Sequence, residues 1–441
     1  MRTTKPHDTS PTKVEDEMNT IDKHESEVRS YSRNWPVSFA RARGPHQWDT
    51  DGNRYIDFFS GAGSLNYGHN EPRLKQALLD YLAEDGVIHS LDMVTPAKER
   101  FLERFHEVIL APRGLDYKVQ FPGPTGTNAV EAAMKLARKV TGRDRIVGFT
   151  NAFHGMTLGS LSVTGNNMKR TGAGVTLQSG TAVPYYNYFG EEVDTTEYLD
   201  QLLTDDGSGF DLPAAVIVET VQGEGGMAAA SMEWLRDLQD VCRKHEVLLI
   251  VDDIQAGCGR TGTFFSFEPA GIDPDIVTLS KSLSGFGLPF AVTLMKPELD
   301  VWDPGEHNGT FRGHNPAFVT ATAALEYWRG EGLTPEIERK AEKVTRALEQ
   351  VVADHPALEG ELRGRGLFQG VACAGDLAGR IARKAFELGV LVETSGPEDE
   401  VVKLLPPLTI DDDTLEEGLG LLAKAAAEVV AQVDTELVTS A

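Results

Sequence analysis

The sequence predicts an α/β protein: a large, mostly parallel sheet with helices on both faces, followed by a smaller α+β unit. Three observations predict it. From about residue 71, short apolar runs alternate with helix-length amphipathic segments, as in strand–helix–strand units. The apolar runs are continuous, which is how strands buried on both faces read. Residues able to do chemistry stand directly after these runs, at the strand ends where α/β proteins place their sites.

Residues 1–24 are polar and read as a mobile arm. A short helix is expected near Glu25–Tyr31, then two short strands, Gln47–Asp49 and Tyr55–Phe58, joined through Asp51-Gly52. Gly61-Ala62-Gly63 and Tyr67-Gly68-His69-Asn70 are too glycine-rich for a regular element. Helices are predicted over Pro72–Ala83, Thr95–Ile109, Ala129–Val140 and Ser231–His245 from apolar spacing and start signals. Strands are predicted at Lys118–Phe121, Ile146–Thr150, Ala214–Glu219, Leu248–Asp252, Ile276–Leu279 and Phe290–Leu294. The C-terminal unit reads as a long helix (Pro335–Asp354), strands at Leu367–Cys373, Val390–Glu393 and Val401–Leu405, and a helix from Asp411. The predicted organisation is therefore an arm (1–24), an N-terminal part of a small domain (25–70), a large domain (71–327) and the rest of the small domain (328–441).

Composition excludes several classes. The 441 residues carry a formal net charge of −25, which repels phosphate backbones and argues against nucleic-acid binding. Cys242, Cys258 and Cys373 are too few and too scattered for a disulfide or zinc framework. The first 25 residues hold no apolar core of a signal peptide, and no apolar run is long enough to span a membrane. A cytoplasmic enzyme is the expectation.

Six strand ends or turns carry candidate chemistry. The run Leu248–Val251 delivers Asp252 and Asp253, and Ile276–Leu279 delivers Lys281. An acid and a lysine together suggest one group holding a cofactor nitrogen and one bonding covalently to its carbonyl, although a buried structural pair is equally compatible with the spacing. After Phe121, the turn Pro122–Asn128 opens a helix whose free N–H groups form an anion cup at Gly126 and Thr127, or simply a capped helix start. Phe153 follows another strand and is placed to stack on a planar ring or to fill core, with His154 beside it. Glu224 sits in the glycine-rich loop after Glu219, and Thr310 offers a hydroxyl in a polar turn.

The motifs Gly126-Thr127-Asn128, Phe153-His154-Gly155, Gln222-Gly223-Glu224, Asp252 to Gly262, Ser280-Lys281 and Gly309-Thr310 occur in the order found in class III pyridoxal-phosphate aminotransferases. The chain resembles that family from about Glu25 to its end. Glu25–Tyr31, Phe58–Gly63, Val251–Glu268 and Val402–Leu408 are similar to its diaminobutyrate–2-oxoglutarate branch, which serves ectoine biosynthesis. The resemblance implies the aspartate-aminotransferase-type fold (fold type I), pyridoxal 5′-phosphate as cofactor, and at least a homodimer or a dimer of dimers. It implies transfer of the 4-amino group of L-2,4-diaminobutyrate to 2-oxoglutarate, giving L-aspartate 4-semialdehyde and glutamate, with the reverse direction in cells. Another ω-amine, such as 4-aminobutyrate or ornithine, is the alternative.

Matched position by position, the resemblance makes Lys281 the covalent lysine and proton carrier, and Asp252 the partner of the pyridine nitrogen. Gln255 would bond the ring hydroxyl and Phe153 and Ile254 would flank the ring. Gly126 and Thr127 would hold the phosphate, with Thr310 reaching it from the partner subunit. Glu224 would act as a gate over a cation. Two positions depart from the wider family. Lys403 stands where an arginine is usual, and lysine cannot make the bidentate fork to a carboxylate. Ala62 replaces an aromatic that often contacts substrate in ornithine-type relatives.

Overall fold

The computed structural model describes residues 20–440, so the predicted arm lies mostly outside the described residues. A seven-stranded sheet forms the centre. Its order is Lys118–Gln120, Val292–Met295, Ile276–Leu279, Leu248–Asp252, Ala215–Val218, Ile146–Phe149 and Gly180–Val183. Only Val292–Met295 runs antiparallel to its neighbours. The four strands from Ile146–Phe149 to Ile276–Leu279 are buried on both faces, which explains their unbroken apolar reading. Gly180–Val183 escapes a sequence reading because it is a half-exposed edge strand without an apolar run.

Alternation along the central strand decides where its terminal acid points. Leu249 and Val251 point into the core containing Leu235 and Leu238 of the helix Met232–Lys244. Ile250 points to the other face, against Val130, Ala133 and Ala137 of the helix Gly126–Thr141. Asp252 shares the parity of Ile250, so the strand delivers it to the side where that helix begins. The helix starts three residues earlier than its apolar periodicity predicts. Asn128 Oδ1 accepts from both the Thr125 N–H (3.2 Å) and the Thr125 hydroxyl (2.8 Å), closing the first turn.

Elsewhere the predicted segments form with small shifts. The helix expected near Glu25–Tyr31 does not form there: residues 20–24, the described end of the predicted arm, and Tyr31–Asn34 are helical, with turns between them. The run predicted as one helix to Ile109 ends its regular part at Phe105 and widens into a π-turn over His106–Leu110. The predicted strand Val390–Glu393 divides between two sheets. Val390–Leu391 pairs in parallel with Arg54–Asp57, joining the N-terminal strands to the C-terminal segment. Glu393–Ser395 pairs with Val401–Leu404 in a second four-stranded sheet. Among the described residues no helix is long and apolar enough to cross a membrane.

The segment read as an irregular glycine loop is ordered in an unusual way. Ser60, Gly61, Ala62 and Gly63 all adopt positive φ (48°, 57°, 55° and 81°), a single left-handed turn. Ser60 and Ala62 each carry a strain of about 1–2 kcal/mol there. Asp57 Oδ1 offsets it by accepting from the N–H groups of Phe59 and Ser60 (2.8 Å each). The Ser60 hydroxyl donates to the Leu405 carbonyl (2.6 Å) and the Ser282 hydroxyl to that of Gly63 (2.8 Å).

Candidate active site

The carboxyl ends of the central strands and the start of the helix Gly126–Thr141 enclose a cavity of about 170 Å³. Gly126, Thr127, Phe153, Ile254, Gln255, Asp252, Lys281 and Glu224 all line it. Eight residues singled out from different stretches of sequence therefore meet in one place. Lys403 sits one contact farther out, on Glu224. Thr310 does not reach this cavity; it is exposed in a turn, where its carbonyl accepts from His89 Nε2.

Asp252 is held by three donors. His154 Nδ1 lies 2.7 Å from Oδ2, and the Thr278 hydroxyl (3.0 Å) and Ile254 N–H (3.2 Å) donate to Oδ1. A carboxylate has room for about four such contacts, which leaves Asp252 able to accept one more from the cavity. Burial by itself would lower the pKa of His154, but the Asp252 carboxylate outweighs it and raises the imidazole above its ordinary value. His154 Nε2 is buried and has no hydrogen-bond partner among the described residues. The second acid, Asp253, faces away: its Oδ2 accepts from the Ser266 N–H (3.0 Å), and burial pushes it up to about 7. The apolar pattern alone does not separate these two neighbours; the resemblance chooses Asp252, and strand parity agrees.

Lys281 adopts φ +45° and directs Nζ onto the Ala62 carbonyl at 2.8 Å. The left-handed turn thus exists at the point where it presents an acceptor to this amine, as backbone strain at functional sites commonly does. Burial lowers the Lys281 pKa to about 8. Gln255 turns its amide to Ala62 O (3.1 Å) and Glu224 Oε1 (3.3 Å). Glu219, not singled out from sequence as a site residue, also lines the cavity; its Oε1 accepts from the Phe153 N–H (2.8 Å) and burial raises it to about 7. Lys169 Nζ lies 4.5 Å from the centre of the Phe153 ring.

Gly126 has no space for a side chain, since a Cβ would stand 2.9 Å from Ile254 Cδ1. Backbone N–H groups at this helix start therefore face the cavity unobstructed, in the field of the helix dipole. Taken with an acid and a lysine at adjacent strand ends, the cavity suits a planar, phosphorylated, carbonyl-bearing cofactor. The class III aminotransferase family model matches residues 28–426. The chain belongs to this family.

Among its relatives, diaminobutyrate–2-oxoglutarate transaminases are similar over nearly the whole length. That of Sporosarcina pasteurii is 58% identical over 424 residues, covering 96% of this chain and 99% of the relative. That of Streptomyces coelicolor is 62% identical over 407 residues, covering 92% and 96%. Among solved structures, an ornithine aminotransferase from Toxoplasma gondii superposes with a TM-score of 0.83 at 26% identity, covering 95% of each chain. A transaminase from the marine bacterium Virgibacillus gives 0.85 at 21% identity, covering 95% of this chain and 100% of the other, and attests the fold. The architecture is that of the fold type I aminotransferases.

In this class III enzyme the outer wall of the cavity is an ion cluster. Lys403 is fully buried, with Nζ 2.8 Å from Glu224 Oε1 and 2.9 Å from Glu393 Oε1. Burial alone would lower Lys403, but the two carboxylates hold it above the ordinary lysine value. Burial would raise Glu224; Lys403 and then Lys281 hold it well below the usual carboxylate range. Glu393 is raised by burial, which outweighs Lys403. Glu393 was missed in the sequence because nothing around it resembles a motif. Strand pairing finds it: Glu393 stands directly opposite Lys403 in the antiparallel ladder.

Proposed function

We propose that this protein transfers the 4-amino group of L-2,4-diaminobutyrate to 2-oxoglutarate, giving L-aspartate 4-semialdehyde and L-glutamate, and that in the cytoplasm it runs in reverse to supply diaminobutyrate for ectoine synthesis. The names and near-full-length identity of the relatives support this reading. The observation that carries it within the chain is the Glu224–Lys403–Glu393 cluster beside a cavity holding Lys281 and Asp252. A buried cation capped by a carboxylate gives one site two faces, one for a donor with a distal cation and one for a dicarboxylate acceptor.

The cofactor is pyridoxal 5′-phosphate, and the residues present fit it: Asp252 has acceptor capacity left, and the Gly126 cradle has no room for a Cβ. When bound, this group supplies a carbonyl that takes up the amino group and a ring that draws electron density from the substrate. Asp252 would face the ring nitrogen and keep it protonated, with His154 orienting the carboxylate. Phe153 and Ile254 would flank the ring and Gln255 would stand near its hydroxyl. Gly126 and Thr127 would donate to the phosphate, and Thr310 would serve the partner's site across a homodimer interface. Lys281, with its lowered pKa, would carry the proton to and from the substrate carbon. Glu224 would cover Lys403 while the donor is bound and withdraw to expose it to the acceptor. Incubating the holoenzyme with diaminobutyrate and 2-oxoglutarate tests the reading; glutamate is expected, and its absence refutes it.

A further inference from the structure

On the far side of Glu224 lies a groove of about 690 Å³, reached by Tyr31, Lys169 and Glu393. Its charges do not balance. Among its lining residues Arg33, Lys169 and Arg383 are equalled in number by Asp376, Glu398 and Asp399. At its inner end Glu224 and Glu393 share Lys403 as their one direct ion-pair partner among the described residues, with the Lys281 amine acting on them from the inner cavity. The two acids are held differently. Glu224 is 24% exposed in a loop flanked by Gly223, Gly225 and Gly226, whereas Glu393 is 4% exposed and fixed in a strand. The Tyr31 hydroxyl donates to Glu393 Oε2 (3.2 Å). Glu393 Oε1 lies 2.9 Å from Lys403 Nζ and accepts no further donor among the described residues, which leaves it a free lone pair.

We infer that Glu393 is a specificity-determining residue: it receives the α-ammonium of the diamino-acid donor, while Glu224 keeps Lys403 covered. The inference rests on the proposed function and extends it to the distal end of the substrate. A donor reacting through its terminal amine places its α-carbon outward from Lys281, toward Glu224 and the groove behind it. There the unbalanced negative charge and the open acceptor on Glu393 complement an ammonium, and a buried acceptor discriminates strongly against a ligand that leaves it unfilled. An ω-amino acid of the same length without the α-amine, 4-aminobutyrate, leaves Glu393 unfilled.

The test compares these two donors on the wild-type holoenzyme and on Glu393→Gln, which keeps shape and removes charge. The expected result is a fall of at least about tenfold in kcat/KM for diaminobutyrate and a similar narrowing of its ratio to 4-aminobutyrate. Calorimetric titration of diaminobutyrate into Lys281→Ala protein, with and without Glu393→Gln, should show the same weakening without turnover. Tyr31→Phe, which removes a competing donor and leaves Glu393 charged, should shift the ratio the opposite way, toward diaminobutyrate, and it serves if Glu393→Gln does not fold. Parallel losses for both donors, or an unchanged ratio, overturn the inference and reduce Glu393 to a counter-ion of Lys403. A wild-type enzyme with no preference for diaminobutyrate overturns the proposed function and this inference together.

Discussion

The two ends of the site are built from different materials. At the inner end, Asp252 and Lys281 stand at the ends of neighbouring parallel strands whose residues are buried on both faces. At the outer end, Glu224 comes from a glycine-flanked loop, while Lys403 and Glu393 come from a different sheet. A group fixed by a close-packed sheet serves a step common to every substrate. A loop carboxylate resting on a cation from another sheet can leave and return, which a site serving two unlike substrates requires. Under the proposed function, chemistry would lie on the rigid end and exchange of the two substrates on the loop carboxylate.

This contrast predicts how substitutions should sort. Lys281→Ala should lower kcat by at least about a thousandfold for every donor and acceptor, with an unchanged circular dichroism spectrum. Retained turnover would break the assignment of the inner end. Asp252→Asn should cost about a hundredfold or more in kcat, again independent of substrate, in steady-state assays of both half-reactions. Lys403→Met should act on stability first. Leaving Glu224 and Glu393 buried without their cation should lower the unfolding free energy by about 3–5 kcal/mol, measured by denaturant titration. An unaltered midpoint would show that the cluster is not the buried triad its distances describe.

Smaller effects sharpen the inner end. His154→Gln should reduce kcat about tenfold, roughly the effect of one unit in the basicity of the group facing Asp252. Lys281 should also report its own environment. Its pKa is lowered to about 8, so the neutral amine predominates above that pH and not only above the ordinary lysine value. Capture of pyridoxal phosphate by cofactor-free protein, monitored by absorbance, should accelerate with rising pH up to about 8 and then level off. Continued acceleration to the usual lysine range would contradict the buried setting.

The sequence by itself determined the inner end of this protein. Buried parallel strands need continuous apolar runs, and the residues just past such a run sit at a sheet edge, so Asp252, Lys281, Phe153 and Gly126 were legible from local pattern. The same local rules could not choose between Asp252 and Asp253, because that choice depends on which face of the sheet meets the helix Gly126–Thr141. They read residues 61–63 as an irregular loop, since a left-handed turn that includes Ser60 and Ala62 is stable only with the distant Leu405 and Ser282 to hold it. Above all they left Glu393 unseen. It owes its place to an antiparallel pairing with Lys403, and to a phenol from residue 31 and a glycine-rich loop at residue 224, contacts between segments that are far apart in the chain. Charge complementarity across such distances exists only once the chain has folded.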